Sequence, residues 1–498
     1  MGILIDHGRC IGCSLCEISC AYDAIDVRIV ARVDNARCTD CTVCVDYCTV
    51  DAIAMESSPA PAVTAPRETA FDVVVIGGGV AGLSAGALLA HRGYHTLVLE
   101  KAPSLGGRFS SLKHKGIMTP TGASMIELGG PLEEVFREVG VPFDMVVPQP
   151  MLKYWVRGRW IDPGEGSGQF RRVVTEISGD PEAAEALMEA IREVLQSQRY
   201  PSGTILEWVR SVTDNEDIVG LFRAITAIVF ALDDVEAADY FTFFANMVGK
   251  RFGLARRGAV HLMHGLAKSI AERGGQVWTR SEAVKITTED GIATGVLVER
   301  QGQPWRVTAR LVVSTAGPWQ TARLVGPERL GPDYLARLKA QVKPLCSVAM
   351  HLISQRSPLG FPAFVYTIGA RRTCAIFDAS LTASWAPPGT HISEVYTSLP
   401  DPEGPVDWET EIEETKKDLD DIIPGWREYC QMKIVCLQGE FPGNHAWPGQ
   451  DMPTETPIPN LLIAGDGVKA RGYVGTGSAA ESGQRVAALV QERLSVAR

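Results

Sequence analysis

The sequence predicts a small α+β module followed by an α/β Rossmann-type dinucleotide-binding domain, into which a further α+β domain is inserted. Three observations predict this fold class. Eight of the 12 cysteines fall within the first 48 residues, in a repeated pattern. A glycine-rich turn follows a short apolar run that begins at Phe71, as in dinucleotide-binding βα units. Long stretches then separate this turn from a second apolar strand close to the C-terminus, which indicates insertions into the domain.

The composition is that of an ordinary globular protein, with 45% hydrophobic and 21% charged residues. The formal net charge of −11 disfavours nucleic acid and anionic membranes as partners, because both attract basic surfaces. The longest apolar stretch, Ile218–Leu232, is interrupted by Arg223 and falls short of the ~18 residues of a membrane span. It predicts a buried amphipathic helix instead. No apolar signal-peptide core precedes Cys10, so we expect a cytoplasmic protein without a transmembrane segment.

The N-terminal cysteines form two copies of the pattern C-x2-C-x2-C-x3-C. The cysteines of the two copies are, in order, Cys10, Cys13, Cys16 and Cys20, then Cys38, Cys41, Cys44 and Cys48. Each cysteine recurs after 28 residues, and so do its flanking residues, which predicts an internal duplication. Three closely spaced thiolates suit three irons of one [4Fe–4S] cubane. Zinc sites take four ligands, usually as pairs of C-x2-C, and a disulfide framework needs an oxidising compartment.

Across residues 1–56 these motifs resemble the bacterial two-cluster ferredoxin family. The resemblance implies two [4Fe–4S] clusters, each completed by the fourth cysteine of the other half. The implied ligands are Cys10, Cys13, Cys16 and Cys48 for one cluster, and Cys38, Cys41, Cys44 and Cys20 for the other. The chain departs from the family at Ala21 and Thr49, because proline usually follows the fourth cysteine. The departure removes a rigid turn but no ligand.

A linker is predicted at residues 57–70, which are rich in Pro, Ala, Ser and Thr and have no apolar periodicity. The tether is extended but short. We therefore expect the ferredoxin module to be docked on its neighbour.

The glycine-rich turn lies in the context that a dinucleotide-binding unit requires. Phe71–Ile76 predicts a buried parallel strand, Leu83–His91 a helix and Thr96–Leu99 a second strand. The residues between the first strand and the helix satisfy G-x-G-x-x-G, and they read Gly77-Gly78-Gly79-Val80-Ala81-Gly82.

Each glycine of the G-x-G-x-x-G fingerprint, and the acidic residue that follows it, has a physical role. Gly77 permits the tight turn, Gly79 lets the backbone approach a pyrophosphate at the helix N-terminus, and Gly82 lets helix and strand pack closely. Glu100, at the end of the second strand, would accept hydrogen bonds from the adenosine ribose hydroxyls. The combination predicts a bound dinucleotide.

Further motifs distinguish FAD from NAD, since both cofactors share this fingerprint. They are Leu105–Arg108, a middle piece at 280–318, Asn460–Gly467 and Gly475–Gly483. Together they resemble the FAD superfamily that contains amine oxidases, phytoene desaturases and carotenoid isomerases. No flavin-linking Cys or His motif is evident, so we expect non-covalent FAD.

The resemblance implies roles for individual residues. Arg108 would lie near the pyrophosphate, Asp466 would contact the ribityl–phosphate part, and Val284 would contact the adenine through its backbone. Ser478, Ala479 and Ala480 would lie beside the isoalloxazine ring at a helix N-terminus, whose dipole stabilises negative charge on a reduced flavin. The predicted FAD-binding residues are Gly77, Gly79, Val80, Ala81, Gly82, Glu100, Lys101, Gly106, Gly107, Arg108, Val284, Gly465, Asp466, Gly477, Ser478 and Ala479.

The predicted architecture is thus an α+β ferredoxin module followed by an α/β Rossmann-type FAD-binding domain with an inserted α+β substrate domain. The FAD-binding domain is assigned to residues 71–110, 271–330 and 451–498. The substrate domain is assigned to residues 111–270 and 331–450.

The predicted substrate domain contains three groups of candidate residues. The aromatic residues Tyr240, Phe241, Phe243 and Phe244 either line an apolar tunnel or pack between helices. The basic pairs at 250–251 and 256–257 either meet an anionic group or lie on a solvated surface. His261 and His264 share one face of a predicted helix, Ala259–Arg273, and are weak candidates for catalytic proton transfer.

One dinucleotide fingerprint and two predicted clusters indicate a route for electrons. Clusters transfer electrons singly, and a flavin exchanges electrons either singly or as a hydride. We therefore expect an external one-electron redox partner, the two clusters, FAD and a small, largely apolar organic substrate to act in series.

The reaction is expected at a C–C single or double bond, as reduction, desaturation or isomerisation. Amine oxidation would gain nothing from a fused ferredoxin. The alternative is an electron-transfer flavoprotein subunit of a larger complex, with no organic substrate of its own. A homo-oligomer is left open.

Overall fold

The computed structural model describes residues 2–10, 12, 14–20, 22–27, 30–48, 51–55, 65–164, 166, 168–226, 235–343, 346–401, 406–437, 449 and 451–496. Cys13, Ala21 and Thr49 lie outside the described residues. Within the described part of the chain, no helix combines the length and the apolar character needed to cross a bilayer.

The N-terminal module is built from two similar halves. Its elements are β1 (Ile3–Ile5), α1 (Leu15–Ser19), β2 (Ile25–Val27), β3 (Ala31–Val33), α2 (Val43–Asp46) and β4 (Ile53–Met55). Strand β1 pairs antiparallel with β4, and β2 pairs antiparallel with β3. The two pairings are equivalent under the 28-residue repeat, because Ile3 pairs with Met55 and Ala31 pairs with Val27.

The backbone repeats with the same period. Positive φ angles occur at Ser14 (57°) and Thr42 (62°), and at Asp23 (50°) and Asp51 (50°). L-residues seldom adopt this region. Its recurrence after 28 residues therefore supports the predicted duplication at the level of structure.

The body of the protein contains the remaining elements. In chain order they are β5 (Arg67–Ile76), α3 (Val80–His91), β6 (Thr96–Leu99), β7 (Ser111–His114), β8 (Ile117–Pro120), β9 (Met125–Glu127), α4 (Pro131–Val139), β10 (Met145–Val146), β11 (Leu152–Val156), β12 (Arg159–Ile161), α5 (Gln169–Ser178), α6 (Pro181–Ser197), α7 (Ile205–Val212), α8 (Glu216–Thr226), α9 (Ala237–Met247), β13 (Phe252–Ala255), α10 (Ala259–Glu272), β14 (Gln276–Trp278), β15 (Ser281–Glu289), β16 (Ile292–Arg300), β17 (Gln303–Ser314), α11 (Pro318–Val325), α12 (Pro332–Gln341), β18 (Ser347–Ser354), β19 (Phe364–Ile368), β20 (Thr373–Asp378), β21 (His391–Thr397), α13 (Trp408–Ile422), β22 (Cys430–Leu437), β23 (Leu461–Ile463) and α14 (Gly475–Val496).

The first large sheet, called the dinucleotide sheet here, has the order β14-β6-β5-β17-β16-β15, with β23 beside β17. Strands β14, β6, β5, β17 and β23 are parallel, as in Rossmann-type domains. Val73, Val74 and Val75 of β5 are fully buried, because helices cover both faces of a parallel sheet. The core on one side of this sheet includes apolar residues of α3, α10 and α14.

The second large sheet, called the substrate sheet here, has the order β12-β11-β19-β20-β21-β18-β22. One face packs against α13, and Met350, Ile376 and Val395 belong to that core with Leu419. Residues that alternate with these point to the opposite face, because side chains alternate along a strand. That inner face includes Phe377 and Ile392, which pack with Met118 and Leu254 of the body.

The predicted elements are close to the observed ones, with one difference in a domain boundary. Strand β5 begins at Arg67, whereas the prediction placed residues up to 70 in the linker. Residues 67–70 pair in parallel with residues 305–308 of the long strand β17, and this pairing extends the strand before its apolar run. Helices α3 and α14 begin at Val80 and Gly475, and α10 ends one residue before the predicted Arg273.

Candidate functional site

Two glycine turns face each other at the carboxyl ends of β5 and β6. Gly77 has φ of 105°, and a Cβ there would lie 2.4 Å from Thr315 Oγ1. A Cβ on Gly82 would lie 1.9 Å from the Gly77 carbonyl oxygen, so helix α3 packs directly on the turn. The Gly106 N–H donates to the Gly78 carbonyl over 2.8 Å and joins the second turn to the first.

The space above these turns is open. A Cβ on Gly79 would meet no atom within 4 Å, and one on Gly107 would meet only Gly79 Cα, at 3.7 Å. Helix α3 starts at this opening without a side-chain cap, so the first N–H groups of Val80 and Ala81 are available to an anion. This cradle fits the pyrophosphate of a dinucleotide.

Glu100 stands beside the cradle at the end of β6. Its carboxylate accepts hydrogen bonds from the N–H groups of Gly78 and Ala102, each over 2.8 Å. Burial raises the pKa of Glu100, and the two N–H donors act in the opposite direction. A carboxylate has about four lone-pair sites, so Glu100 retains the capacity to accept from ribose hydroxyls.

Arg108 reaches from the second glycine turn to the C-terminal part of the chain. Its guanidinium contacts Asp466 Oδ2 at 2.9 Å, and Asp466 is 4% exposed. Asp466 follows β23, and the N–H of its neighbour Gly465 donates to Ser482 Oγ over 2.8 Å. The fold thus brings together residues that lie more than 350 positions apart in sequence.

The N-terminal turn of α14 closes the site. Gly477 and Ser478 are buried there, and Ser478 Oγ donates to the Gly475 carbonyl over 2.8 Å. A Cβ on Gly477 would lie 2.2 Å from Glu127 Oε1, so Glu127 touches this turn. Burial raises the pKa of Glu127. Ala479 is half-buried beside them.

Two predicted residues lie at the rim of the site. Lys101 follows Glu100 and is exposed, and the exposed fraction of Val284 is 49%. Val284 occupies a register shift in β15, between Ala283 and Lys285, where its backbone is not part of the regular ladder. Strand β15 is joined to the cradle, because the Ser281 N–H donates to the Glu100 carbonyl over 2.9 Å. The observed arrangement therefore suits an adenine contact made through the backbone.

The N-terminal cysteines line a second candidate site. Cys20, Cys38, Cys41 and Cys44 line one cavity, and all four are free thiols. Burial, and then the neighbouring Cys41, Cys38 and Cys20, raise the pKa of Cys44 to about 11. Among the described residues, no group of three or more His, Cys, Asp or Glu side chains is arranged to hold a single metal ion.

Backbone N–H groups point at several of these sulfurs. The Ala24 N–H donates to Cys20 Sγ over 3.3 Å, and the Ala52 N–H donates to Cys48 Sγ over 3.1 Å. These two contacts are related by the 28-residue repeat. Cys10 Sγ likewise accepts from the Ala31 N–H over 3.3 Å. Hydrogen bonds to sulfur are among the features that tune iron–sulfur centres.

The cysteine module is docked on the body, as the short linker predicts. Leu15 and Ile18 of α1 pack with Leu112 of β7 and Ala349 of β18, and Tyr47 packs against the same cluster. Leu112 lies four residues after Arg108, so the contact is close in sequence to the dinucleotide cradle.

Ion pairs surround this apolar contact, with every acid on the module and every base on the body. Asp23 lies on the exposed edge, and a hydrogen bond from Lys115 lowers its pKa. The pairs are Lys115 with Asp23, His114 with Asp23, Arg280 with Asp46 and Lys433 with Glu17. The two surfaces are therefore complementary in charge.

The predicted histidine pair lies in a cleft of about 1,000 Å³ between α10 and the module. His261 and His264 are exposed along it, together with Lys113 and Arg257. Partial burial, and then His261, lower the pKa of His264. The structure brings the two histidines together on one face, as predicted, but on the side of α10 that faces the module.

The aromatic residues of α9 belong to a helical core. Tyr240 and Phe241 are 3% and 1% exposed, and they pack with Trp208 and Phe222. Of the two predicted alternatives, Tyr240 and Phe241 therefore follow packing between helices and not the lining of a tunnel. The predicted helix at Ile218–Leu232 is observed as α8 up to Thr226, and residues 227–234 lie outside the described residues.

Comparison with known proteins identifies the family. Residues 80–491 match the family described as flavin containing amine oxidoreductase, and this match covers most of the chain. The chain belongs to this flavin-containing amine oxidoreductase family. It is therefore an FAD-dependent oxidoreductase, in agreement with the cradle around Gly79 and the Arg108–Asp466 pair.

Three relatives illustrate the range of the family. An uncharacterized protein of Methanocaldococcus jannaschii is 22% identical over 414 residues, which cover 80% of this chain and 94% of that protein. The all-trans-retinol 13,14-reductase of Danio rerio is 26% identical over 302 residues, 52% of this chain and 49% of that protein. A phytoene desaturase of Cercospora nicotianae is 41% identical over 81 residues, 16% of this chain and 13% of that protein. The chain thus matches half or less of the two named enzymes.

Two solved structures share the fold. An oxidoreductase from Methanosarcina mazei has a TM-score of 0.74 and 26% identity, covering 83% of this chain and 99% of that one. Putrescine oxidase has a TM-score of 0.64 and 15% identity, covering 86% of this chain and all of its own. The second likeness is one of fold alone.

Four polar residues near the site were not predicted from the sequence. Ser124, Glu127, Glu394 and Tyr396 are buried or half-buried polar residues near the cofactor-binding segments. The sequence offers one indication of Glu394. Glutamate is uncommon in strands, yet this residue lies in the middle of the strand-forming run His391–Thr397. Their proximity depends on the packing of the substrate sheet, which a single sequence does not reveal.

Proposed function

We propose that this flavoenzyme exchanges electrons with a one-electron partner through two [4Fe–4S] clusters and acts on a C–C single or double bond of a largely apolar substrate. Bound FAD would supply or accept the hydride equivalent. The main observation in support of the clusters is that four cysteines, contributed by both halves of the module, line one cavity. They are Cys20, Cys38, Cys41 and Cys44, the ligand set that the ferredoxin resemblance implies.

The cavity suits a cubane better than a lone ion. In a [4Fe–4S] cluster each iron takes one thiolate, so the four sulfurs stand apart instead of converging on one point. The second proposed cluster includes Cys10, Cys16 and Cys48, and its fourth ligand, Cys13, lies outside the described residues.

The docking geometry supports the order of electron transfer. Cys16 lies on α1, and Cys48 follows Tyr47, so two ligands of the proposed Cys10–Cys48 cluster adjoin the contact with the body. Cys41, a ligand of the other cluster, is exposed. We therefore propose that the external partner meets the Cys41 cluster and that the Cys48 cluster serves the flavin.

The inner face of the substrate sheet is aromatic, and the proposed substrate class rests on the relatives. Phe364, Tyr366, Phe377 and Tyr396 form a chain of ring contacts there, with centroids 5.1–6.1 Å apart. Phe364 and Phe377 are 5% and 0% exposed, so these rings pack within the core of this face. Relatives of this chain include a retinol reductase and phytoene desaturases, whose names refer to polyenes.

The cluster proposal is tested on anaerobically purified protein. We expect electron paramagnetic resonance to show two reduced [4Fe–4S] centres. In Cys41→Ser we expect one centre to disappear and acid-labile sulfide to fall to about half, since one of two cubanes is lost. Cys430→Ser, at a half-buried cysteine outside the module, is the matched control. Equal iron and sulfide content in both variants would contradict the proposal.

The reaction is tested by mixing photoreduced protein anaerobically with all-trans-retinol or phytoene. Reoxidation of the flavin with formation of a saturated product supports the enzyme. The alternative, an electron-transfer subunit without an organic substrate, predicts reoxidation by protein partners alone.

A further inference from the structure

A buried polar cluster lies on the inner face of the substrate sheet. Glu394 Oε2 accepts a hydrogen bond from Ser124 Oγ over 2.7 Å and one from the Tyr396 hydroxyl over 2.9 Å. Glu394 and Ser124 are each 2% exposed. The second carboxyl oxygen, Glu394 Oε1, is buried without a hydrogen-bond partner among the described residues.

The cluster adjoins the cofactor-binding residues. The Tyr396 hydroxyl contacts the Gly122 carbonyl at 3.4 Å, and the N–H of the next residue, Ala123, donates to the Arg108 carbonyl over 2.9 Å. A Cβ on Gly122 would lie 2.4 Å from that same Arg108 oxygen. One chain segment therefore separates Glu394 from the residue predicted to bind the FAD pyrophosphate. Four residues after Ala123, the segment reaches Glu127 beside the α14 turn.

The surroundings of Glu394 carry no balancing charge. On its own strand it faces Tyr396, across β20 it faces Phe377, across β18 it faces His351, and the loop before β9 contributes Ser124. Within the described residues, Glu394 forms no ion pair. Burial raises its pKa to about 8, so the carboxyl group holds a proton at neutral pH. Burial also lowers the pKa of His351 to about 4, so this imidazole is neutral.

We propose that Glu394 is the proton donor in the reduction of a C=C bond, an inference that rests on the proposed function and gives it a direction. Reduction of a C=C bond requires one hydride equivalent and one proton, and bound FAD would supply the hydride equivalent to one carbon. The O–H bond of Glu394 breaks, and its proton forms the second C–H bond on the other carbon. Glu394 is left as a carboxylate and regains its proton from water.

His351 lies on the proposed route by which Glu394 regains its proton. It stands directly opposite Glu394 on the neighbouring strand, where Cβ atoms are about 5 Å apart. His351 Nδ1 is buried and has no hydrogen-bond partner among the described residues. The next residue in the same cross-strand row is Lys433, at the edge of the body facing the cysteine module. A neutral imidazole both accepts and donates, so it can pass a proton between this edge and Glu394.

The test begins with a readout that needs no substrate. Light-induced infrared difference spectra of the anaerobic holoprotein are recorded as the flavin is photoreduced. We expect a C=O band of a protonated carboxylic acid that responds to flavin reduction, that is lost in Glu394→Gln and that remains in Glu411→Gln. Glu411 is a matched control, since it is buried on the far side of the substrate sheet and is paired with Arg372. Glutamine retains an acceptor for Ser124 and Tyr396, and FAD content verifies the fold.

The second readout is reoxidation by the unsaturated probe, all-trans-retinol or phytoene. In Glu394→Gln we expect photoreduction at the wild-type rate and reoxidation slowed by about 100-fold or more, the size of a general-acid contribution. A band that persists in Glu394→Gln, or wild-type reoxidation in that variant, overturns the inference while leaving the proposed function intact. If neither probe reoxidises the wild-type flavin, C=C reduction fails as the direction of the reaction and the donor role falls with it, whatever the infrared band shows.

Discussion

The two large sheets meet the predicted flavin in different ways. The dinucleotide sheet presents the ends of its strands, and its contacts are made by backbone atoms at Gly77, Gly79 and Gly106. The substrate sheet presents its inner face, where the side chains of Glu394 and Tyr396 form a polar cluster next to the segment that contacts Arg108. One sheet thus leaves room for the cofactor at glycines that lack side chains, whereas the other is the sheet that we propose supplies a group acting on the substrate.

The largest effect is expected from a substitution at Gly82, where helix α3 packs on the glycine turn of the dinucleotide sheet. In Gly82→Ala the new Cβ would lie 1.9 Å from the Gly77 carbonyl, which cannot move without opening the turn. We expect loss of bound FAD and about 3 kcal/mol of stability, the cost of overpacking a closed site. Flavin absorbance and thermal unfolding measure the two effects.

Gly79→Ala is the matched variant, because its Cβ meets only open space. We expect the apoprotein to lose less than about 1 kcal/mol, while FAD affinity falls on the order of tenfold or more. Equal FAD affinity in Gly79→Ala and wild type would show that the pyrophosphate does not occupy this cradle.

The same contrast explains how far sequence reasoning reached. The glycine turn and the cysteine repeat are local patterns, and β6, α14 and the internal duplication were predicted from them. Arg108 and Asp466, which are 358 positions apart, were each assigned to the FAD site through a resemblance, and their ion pair was not predicted. The Glu394 cluster was missed. Its members lie on β21, on β18 and in the loop before β9, and the residues become neighbours only through strand order.

A second effect concerns the outer face of the substrate sheet, where α13 is attached. Asp418 is fully buried and accepts from the N–H groups of Arg371, Arg372 and Thr373 over 2.7–2.8 Å. In Asp418→Asn the amide nitrogen would face donors, so we expect a loss of about 3 kcal/mol in unfolding free energy. FAD content should remain at the wild-type level.

Asp421→Asn provides the control for Asp418, since the exposed Asp421 pairs with the same Arg371 side chain. We expect little change in stability, because solvent screens an exposed ion pair. Loss of FAD in Asp418→Asn would instead indicate that the outer face, and not the inner face alone, supports the cofactor.

A third, smaller effect is the pH dependence of the unfolding free energy that arises from Glu394 and His351 on the inner face of the substrate sheet. The pKa of Glu394 is raised to about 8 in the folded protein, so the folded state binds more protons than the unfolded state below that pH. Stability therefore falls as the pH rises towards 8. The pKa of His351 is lowered to about 4, so its contribution has the opposite sign and is complete above about pH 6.5.

Between pH 6.5 and 8, the difference between the wild type and Glu394→Gln therefore reports on Glu394. Its contribution there is at most about 2 kcal/mol, at 1.36 kcal/mol for each pH unit. We expect a melting temperature that declines across this window in the wild type and declines less in Glu394→Gln, measured in buffers of matched ionic strength. Parallel curves would mean that the carboxyl group is already ionised at neutral pH.

The smallest expected effect concerns the cysteine module, which touches the substrate sheet at Ala349 and the segment after the glycine turns at Leu112. Salt at about 1 M shortens the screening length to about 3 Å and weakens exposed pairs such as Lys115–Asp23. The apolar contact of Leu15 with Leu112 is not screened. We therefore expect hydrogen exchange in α1 to rise only slightly at high salt and to rise more in Leu112→Ala at low salt, because truncation removes buried apolar contact. If salt has the larger effect, ion pairs hold the module in place. Electron delivery to the flavin would then depend on ionic strength in the way that transient protein complexes do.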